Sequence, residues 1–323
     1  MTTHWSSNKV KYSVIIPAYN IENHCYDILT FIERTKKLRN DIEYIIINDG
    51  STDKTDDILS SEHGFLYISQ TNKGVSASRN LGITLSSGKY ILFLDADDYF
   101  SENIFTLLDS HIEKNSNSDI YTFNYSINKI SMNKKMHTPI IMHPHKIMHL
   151  FLYQKLHLCI CSICMKRSFI LENKIQFPTK YSFGEDIFFM LQSLIHSKNN
   201  VYYIPDVLFN YNLSQSGTVQ SVVTKNKIDV LTLYDYLFKF NRNIPKTTHA
   251  ALIYFQQRTF FYLIKLSIRF NLKDKETLDY LFEKKTILYK RKNKLYPLIV
   301  LFKIVSPLLY KILNNRLLFK PTK

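Results

Sequence analysis

The spacing of apolar and polar positions changes period several times within the first hundred residues. Tyr12-Ser13-Val14-Ile15-Ile16-Pro17 is a nearly unbroken apolar run and predicts a first strand, ended by Pro17 and the turn-forming Asn20. Residues 24–39 carry Ile28, Leu29, Phe31, Ile32 and Leu38 at helical spacing. Ile42–Ile47 is a second all-apolar strand that stops at Asn48-Asp49-Gly50-Ser51. There Gly50 permits a tight turn, and Ser51 or Asp53 can cap the helix that follows. Gly64–Ser69 predicts a shorter third strand, Gly74–Leu85 a helix and Lys89–Leu94 a fourth strand. Strands that alternate with helices imply βαβ units and a mostly parallel sheet, whose strands are buried on both faces and so read as continuous apolar runs.

The fourth run ends in Asp95-Ala96-Asp97-Asp98. Unpaired charge is too costly to follow a strand into a core, so these carboxylates must emerge at its C-terminal edge, where open α/β sheets hold ligands. Two Asp one residue apart on extended backbone can share a hard divalent cation, which readily bridges phosphates. A solvated acidic turn fits the same four residues. Asp49 and Asp95 end neighbouring runs at comparable points and would line one edge. No Gly-x-Gly-x-x-Gly follows the first strand and no Gly-x-x-x-x-Gly-Lys occurs, which removes the dinucleotide and P-loop readings.

The net charge of +15 suggests nucleic acid until its distribution is considered. From Lys284 to Lys323 there are eleven Lys or Arg and no Asp or Glu, which leaves +4 for everything before. Scarce Gly and Pro in 323 residues exclude disordered and fibrous classes. Met1–Lys11 lacks the apolar core of a signal peptide, and four Cys make no disulfide framework, so a reducing cytosolic compartment is expected.

Pro17-Ala18-Tyr19-Asn20, Asn48-Asp49-Gly50-Ser51-Thr52-Asp53, Asn72-Lys73-Gly74 with Arg79-Asn80, and Asp95-Ala96-Asp97-Asp98 resemble, in order and spacing, family 2 glycosyltransferases. Gly184-Glu185-Asp186-Ile187-Phe188-Phe189, about 90 residues after the Asp trio, and the segment Tyr211–Val219 are similar to further family motifs. The resemblance covers about residues 12–220. It implies an inverting enzyme of the GT-A fold, a Rossmann-like α/β mixed sheet flanked by helices, here with a C-terminal helical extension.

The resemblance also implies roles. Pro17, Tyr19, Asn20 and Asp49 would hold the nucleotide base and ribose, most often uridine; for Asp49 an Asx-turn closing Asp-Gly-Ser is the competing role, and its two oxygens allow both. Asn72, Lys73 and Arg79 would approach the diphosphate, although Lys73 also reads as a solvated lysine. Asp95 and Ala96 would lie near the ribose, with Asp97 and Asp95 as ligands of Mn²⁺ or Mg²⁺ bridging the phosphates of a UDP-sugar and Asp98 orienting the site from behind. For a further metal ligand Asn210, Asn212 and His196 are candidates. Asp186 would be the general base towards an acceptor hydroxyl and Glu185 its support, while acidic residues at a helix start are also ordinary dipole features.

Cys159, Cys161 and Cys164 read as small buried side chains rather than a zinc site, which needs a fourth ligand such as His157. His143, Pro144, His145 and His149 read as a loop or helix start. Residues 225–240 and 249–270 are predicted helical. Leu295–Tyr310 is apolar but too short to span a bilayer comfortably; flanked by Lys290-Arg291-Lys292 and Lys311, it suits contact with an anionic inner-membrane surface, or a helical subdomain with a basic face.

The expected organisation is therefore a catalytic domain over 1–222, divided into a nucleotide-sugar half (1–115) and an acceptor half (116–222), and a helical basic region over 223–323. The expected activity is transfer from a UDP-sugar donor to a glycan or lipid-linked oligosaccharide acceptor, on the cytoplasmic face of a bacterial inner membrane, with no nucleic acid partner. A sugar nucleotidyltransferase is the alternative, weakened by the lack of an early glycine-rich basic loop; a catalytically silent relative is disfavoured by Asp97 and Asp186.

Overall fold

A computed structural model describes residues 10–212, 222–240, 244–270, 272 and 274–289. The chain divides into two compact units, the first formed by Met1–Ile147, Leu156–Lys180 and Glu185–Leu213, the second by Met148–Lys155, Tyr181–Gly184 and Ser214–Lys323.

The first unit begins as the apolar runs dictate, with β1 (Tyr12–Ala18), α1 (Cys25–Leu38), β2 (Ile42–Asn48), α2 (Thr55–Ser60), β3 (Leu66–Ser69), α3 (Val75–Leu85) and β4 (Tyr90–Phe93). The four strands pair in parallel in the order β3-β2-β1-β4. Every residue of β4 is buried, as is all of β1 except Pro17, the burial of a sheet covered on both faces. The register sets Ala18 opposite Asn48, Asn48 opposite Ser69, and Ile15 opposite Phe93. Asp49 and Asp95 consequently leave the sheet at one edge.

After β5 (Tyr99–Phe100) and α4 (Ile104–Lys114) the sheet turns mixed. It adds β6 (Ile120–Ile127), β7 (Ile130–Ser131), β8 (Ile140–Met142), β9 (Ile163–Lys166) and β10 (Val201–Tyr211). The order continues β4-β9-β6-β10-β5, with β9 antiparallel to both β4 and β6, and β10 parallel to β6. The helices of this stretch are α5 (Pro144–Leu152), α6 (Arg167–Glu172) and α7 (Glu185–His196).

Two features hold α3 and α7 against the strands. Gly82 of α3 lies so close to β1 that a Cβ there would meet Ile15 Cγ2 at 2.3 Å. Phe177 and Phe189 of α7 stack at 3.9 Å between ring centroids, and Phe93 of β4 meets both edge-on at 5.2 and 5.7 Å. All three rings are at most 2% exposed, and truncating one such ring costs about 3–5 kcal/mol.

The second unit contains α8 (Lys225–Ile228), α9 (Val230–Phe240), α10 (Lys246–Arg269) and α11 (Lys275–Glu283), followed by a 3₁₀ turn over Lys284–Tyr289. The helix expected over 225–240 is interrupted at Asp229, whose carbonyl accepts from Thr232 and Leu233 N–H groups as a fresh helix start. No described helix is long and apolar enough to cross a membrane. The tail from residue 290, with Leu295–Tyr310, lies outside the described residues, as do residues 1–9 and the 213–219 part of the Tyr211–Val219 match.

Candidate active site

Four loops meet at the C-terminal edge of the parallel strands. The first two are clipped together: Asn20 N donates to Ser51 Oγ at 2.9 Å, and Thr52 N donates to Asn20 Oδ1 at 2.8 Å. Asn20 adopts a left-handed φ of 52° to make both contacts, a conformation Asn tolerates better than most residues. Tyr19 beside it is half exposed.

The turn after β2 differs from the expectation. Its Asx-turn belongs to Asn48, whose Oδ1 accepts from Ser51 N and Oγ at 3.0 and 2.7 Å. Asp49 instead grips the next loop. Its Oδ1 accepts from Lys73 N at 2.9 Å and Gln70 Nε2 at 2.8 Å, and its Oδ2 from Gly74 N at 2.7 Å. Both oxygens of this 4%-exposed carboxylate are thereby committed to shaping the 70–74 loop. Gly50, at φ 72°, faces that loop so closely that a Cβ would meet Asn72 N at 2.8 Å. Asn72 and Lys73 themselves are exposed on it.

Arg79 is buried and pairs with two carboxylates. Its Nη2 donates to Asp95 Oδ1 at 2.7 Å and its Nη1 to Glu185 Oε1 at 3.3 Å, and its side chain is 4% exposed. The guanidinium also lies 5.3 Å from the centroid of Phe177, and neighbouring Asn80 makes two 2.9 Å bonds to the Phe177 backbone. Burial alone would favour loss of the Arg79 proton, but Asp95 and Glu185 outweigh it and hold the cation firmly charged.

The acidic trio is not extended. Asp98 N donates to Asp95 O at 3.1 Å, closing a turn with Ala96 and Asp97 at its apex. That turn folds Asp98 back beside Asp95, so Asp95, Asp98 and Cys161 present ligand atoms within 4.8 Å of one another, and Asp97 stands outside this group. Asp98 Oδ1 accepts from Asn212 N at 2.7 Å, while its Oδ2 is buried without a partner. Burial, aided by Asp95 and Asp97, pushes the Asp98 carboxyl up to about 8 against the pull of the Asn212 N–H. Burial also raises Asp97, with Asp95 adding to the effect. An orphaned oxygen among crowded carboxylates is the arrangement that a divalent cation completes, so the residues fit such an ion.

Asp186 sits one residue into α7, with Oδ1 accepting from Ile187 N at 2.7 Å. Burial raises the pKa of Glu185 and of Asp186; Arg79 opposes the rise in both, and Asp95 reinforces it. The trio and the pair thus share one electrostatic environment, joined through Arg79. Tyr125, which feels Asp186, and Tyr211, which feels Asp95, Asp97 and Asp98, lie in the same surroundings. Tyr211 opens the motif-like segment noted in the sequence, whereas Tyr125 did not stand out there, being one aromatic residue in an apolar strand.

Other candidates are placed elsewhere. Asn210 Oδ1 accepts from Ser126 Oγ at 2.6 Å, and His196 Nδ1 lies 2.8 Å from Gln192 O in its own helix. Cys161 and Cys164 are buried and Cys159 is partly exposed; all are free thiols, and among the described residues the three sulfurs form no metal-ligand group of their own. His143 and His145 stack at 5.2 Å around the start of α5.

Comparison with known proteins agrees with this architecture. Residues 13–173 match glycosyl transferase family 2. The chain is 38% identical over 127 residues to glycosyltransferase GlyA of Streptococcus pneumoniae serotype 4, covering 36% of this chain and 18% of that protein. It is 28% identical over 247 residues to the minor teichoic acid biosynthesis protein GgaB of Bacillus subtilis, covering 72% of this chain and 26% of that one. The matched region is thus about a quarter or less of the length of these two relatives. Among solved structures, S. aureus TarS 1-349 in complex with UDP-GlcNAc superposes with a TM-score of 0.72 at 17% identity, over 94% of this chain and 90% of that one. The mixed sheet flanked by helices is the GT-A fold. Through residues 13–173, the chain belongs to glycosyltransferase family 2.

Proposed function

We propose that the protein is an inverting, metal-dependent glycosyltransferase that moves a hexosyl or N-acetylhexosaminyl group from a UDP-sugar to a hydroxyl of a glycan or lipid-linked acceptor in bacterial surface polysaccharide synthesis. The observation that carries this reading is Arg79, which ties the trio's Asp95 to Glu185 of the later pair. It gathers donor-side and acceptor-side carboxylates around one region. The setting is supported by the likeness to GgaB, a teichoic acid biosynthesis protein, and the donor by the fold shared with TarS, which binds UDP-GlcNAc.

In this reading Pro17, Tyr19 and Asn20 form one wall for the base, and Asp49 supports the opposite wall by shaping the Asn72–Lys73 loop. Asp95, Asp97 and Asp98, with Ala96 between them, would hold Mn²⁺ or Mg²⁺. That ion, when bound, would offset charge on the leaving UDP. Asp186 accepts the proton of the acceptor hydroxyl as its oxygen attacks the anomeric carbon from the face opposite UDP. The hydroxyl oxygen–carbon bond forms, the carbon–phosphate oxygen bond breaks, and the electron pair leaves with UDP. Burial raises the basicity of Asp186 towards the working pH, which suits a general base. Arg79 prevents the largely buried Glu185, and the partly exposed Asp95 beside it, from being left without a counter-charge.

The catalytic domain is taken as residues 1–222 and the helical basic region as 223–323, the latter proposed to rest on the cytoplasmic face of the inner membrane. Measuring UDP release from a panel of UDP-sugars with Mn²⁺, beside UDP binding by calorimetry, tests the activity. Absence of UDP binding would sink the reading. A chain ending near residue 284 should no longer sediment with anionic vesicles, and unchanged sedimentation would remove the membrane proposal.

A further inference from the structure

Beside the acidic turn the surface opens into a cavity of about 260 Å³. Its described lining is Tyr99, Asn128, Lys129, Tyr211 and Asn212. These residues come from three places. Tyr99 belongs to β5 and is 49% exposed. Asn128 and Lys129 form the tip of the β6–β7 hairpin, at left-handed φ angles of 48° and 66°. Tyr211 ends β10, and Asn212 follows it.

The polar ends of these five side chains have no hydrogen-bond or ion-pair partner among the described residues. Asn212 does hold Asp98, but through its backbone N–H, which leaves its carboxamide free. Two phenol rings, two carboxamides and one ammonium therefore line a single concavity. Aromatic faces receive the C–H face of a sugar, carboxamides both donate to and accept from hydroxyls, and an ammonium pairs with an oxyanion. Nothing apolar in this lining suits a lipid tail.

We propose that this cavity binds the acceptor, and that the acceptor is a sugar or polyol carrying a phosphate or carboxylate, with its anionic group at Lys129 and its hydroxylated part on Tyr99 and Tyr211. The polarity of the cavity sets this orientation. Asn212 adjoins Asp98, where carboxylates repel an anion. Lys129, on the β6–β7 turn, is the cation of the described lining and the group that attracts an anion. A hydroxyl is thereby turned towards the acidic region while the negative group stays away from it. The proposal rests on the transferase reading for the word acceptor, but binding can be tested without turnover.

The test is an NMR titration of the full-length protein with glucose 6-phosphate, glucuronate and glucose, with UDP binding measured on the same samples. Wild type should bind both anionic sugars on the order of tenfold more tightly than glucose, the scale of one charge-assisted hydrogen bond. A preference shared by the two anions means that negative charge is read; a preference for the phosphate alone narrows the acceptor to phosphorylated sugars or polyols. Lys129→Glu should abolish the preference, Lys129→Arg should keep most of it, and Tyr99→Ala should weaken all three sugars alike, with UDP binding unchanged throughout as evidence of an intact fold. Equal affinity of wild type for glucose and both anions, or a preference that survives Lys129→Glu, would overturn the proposal. A wild type that binds anionic sugars through Lys129 but never binds UDP would keep the site and discard the transferase.

Discussion

Arg79 and Glu185, 106 residues apart in sequence, meet at 3.3 Å between Nη1 and Oε1 while the other arm of the same guanidinium holds Asp95 at 2.7 Å. One fork therefore spans the α3 helix, the end of β4 and the start of α7. Its planar geometry serves two carboxylates at once, which a lysine ammonium matches poorly.

Arg79→Ala should destabilise the protein by about 3 kcal/mol, because it leaves the largely buried Glu185, and the partly exposed Asp95, without their cation. Arg79→Lys should fall between, with charge retained but the fork lost. Urea unfolding of the two variants and the wild type measures this. A loss for Arg79→Ala of less than about 1 kcal/mol, ordinary for a surface change, would show that the bridge is not structural.

Asp186→Asn should lower transfer by about 10²–10⁴-fold, the usual contribution of a positioned base, while UDP affinity changes little. Single-turnover transfer and UDP calorimetry separate the two. Loss of UDP affinity together with activity would make Asp186 architectural.

How far the chain announces this site depends on whether geometry is local. Strands β1 to β4 were legible because each is a continuous apolar run, and their parallel pairing follows from the helices between them. The direction of individual side chains was not. Asp49 and Asn48 are both turn formers, and only the approach of the 70–74 loop commits Asp49 to that loop's amides and leaves the Asx-turn to Asn48. The turn at Asp95–Asp98 is likewise hidden, since a strand end followed by Asp-Ala-Asp-Asp reads equally well as extended. Arg79 faces inward because its partners arrive from distant sequence, and no local pattern marks that. The hairpin tip Asn128-Lys129 meets Tyr211 only through β6–β10 pairing, again a long-range event.

A second charged cluster predicts acid sensitivity. Asp109 accepts from Tyr12 Oη at 2.7 Å and from Arg39 Nη1 at 2.5 Å, and pairs with Lys11 Nζ at 2.5 Å. Burial would raise its pKa, but these donors outweigh burial and hold it below the usual carboxylate value. A folded value below the unfolded one gives stability that is fully present above about pH 4 and is lost as pH falls through the folded value. Urea midpoints of the wild type should drop steeply below that pH, and Asp109→Asn should start about 1–3 kcal/mol lower and show a shallower drop. Parallel pH profiles would contradict the assignment.

The packing of α3 on β1 gives a prediction independent of charge. A Cβ on Gly82 would sit 2.3 Å from Ile15 Cγ2, inside a strand that is buried along nearly its whole length. Gly82→Ala should therefore cost about 1–3 kcal/mol despite the better helix propensity of alanine, as overpacking does. Gly82→Ala combined with Ile15→Ala, which removes the Cγ1 and Cγ2 atoms that the new Cβ would meet, should lose less stability than the sum of the two single changes. Simple additivity in thermal or urea unfolding would mean that the helix shifts instead of clashing.

The turn that folds Asp98 beside Asp95 leads to the last prediction. If Asp97 alone held the cation, Asp98→Asn would disturb Mn²⁺ affinity little. The unpartnered Oδ2 of Asp98, buried among ligand atoms within 4.8 Å, argues that it belongs to the cation's surroundings. Asp98→Asn, which keeps the shape and can still accept from Asn212 N through its amide oxygen, should weaken Mn²⁺ binding in the presence of UDP by about 10–100-fold, comparable to removing a close outer partner or more. Mn²⁺ electron paramagnetic resonance reads free against bound ion directly, so the answer does not depend on turnover. Chelation of the ion should abolish transfer in the wild type, and added Mn²⁺ should restore it. Unaltered Mn²⁺ affinity in Asp98→Asn beside a large loss in Asp97→Asn would return the cation to the apex of the turn and leave Asp98 a purely structural carboxylate.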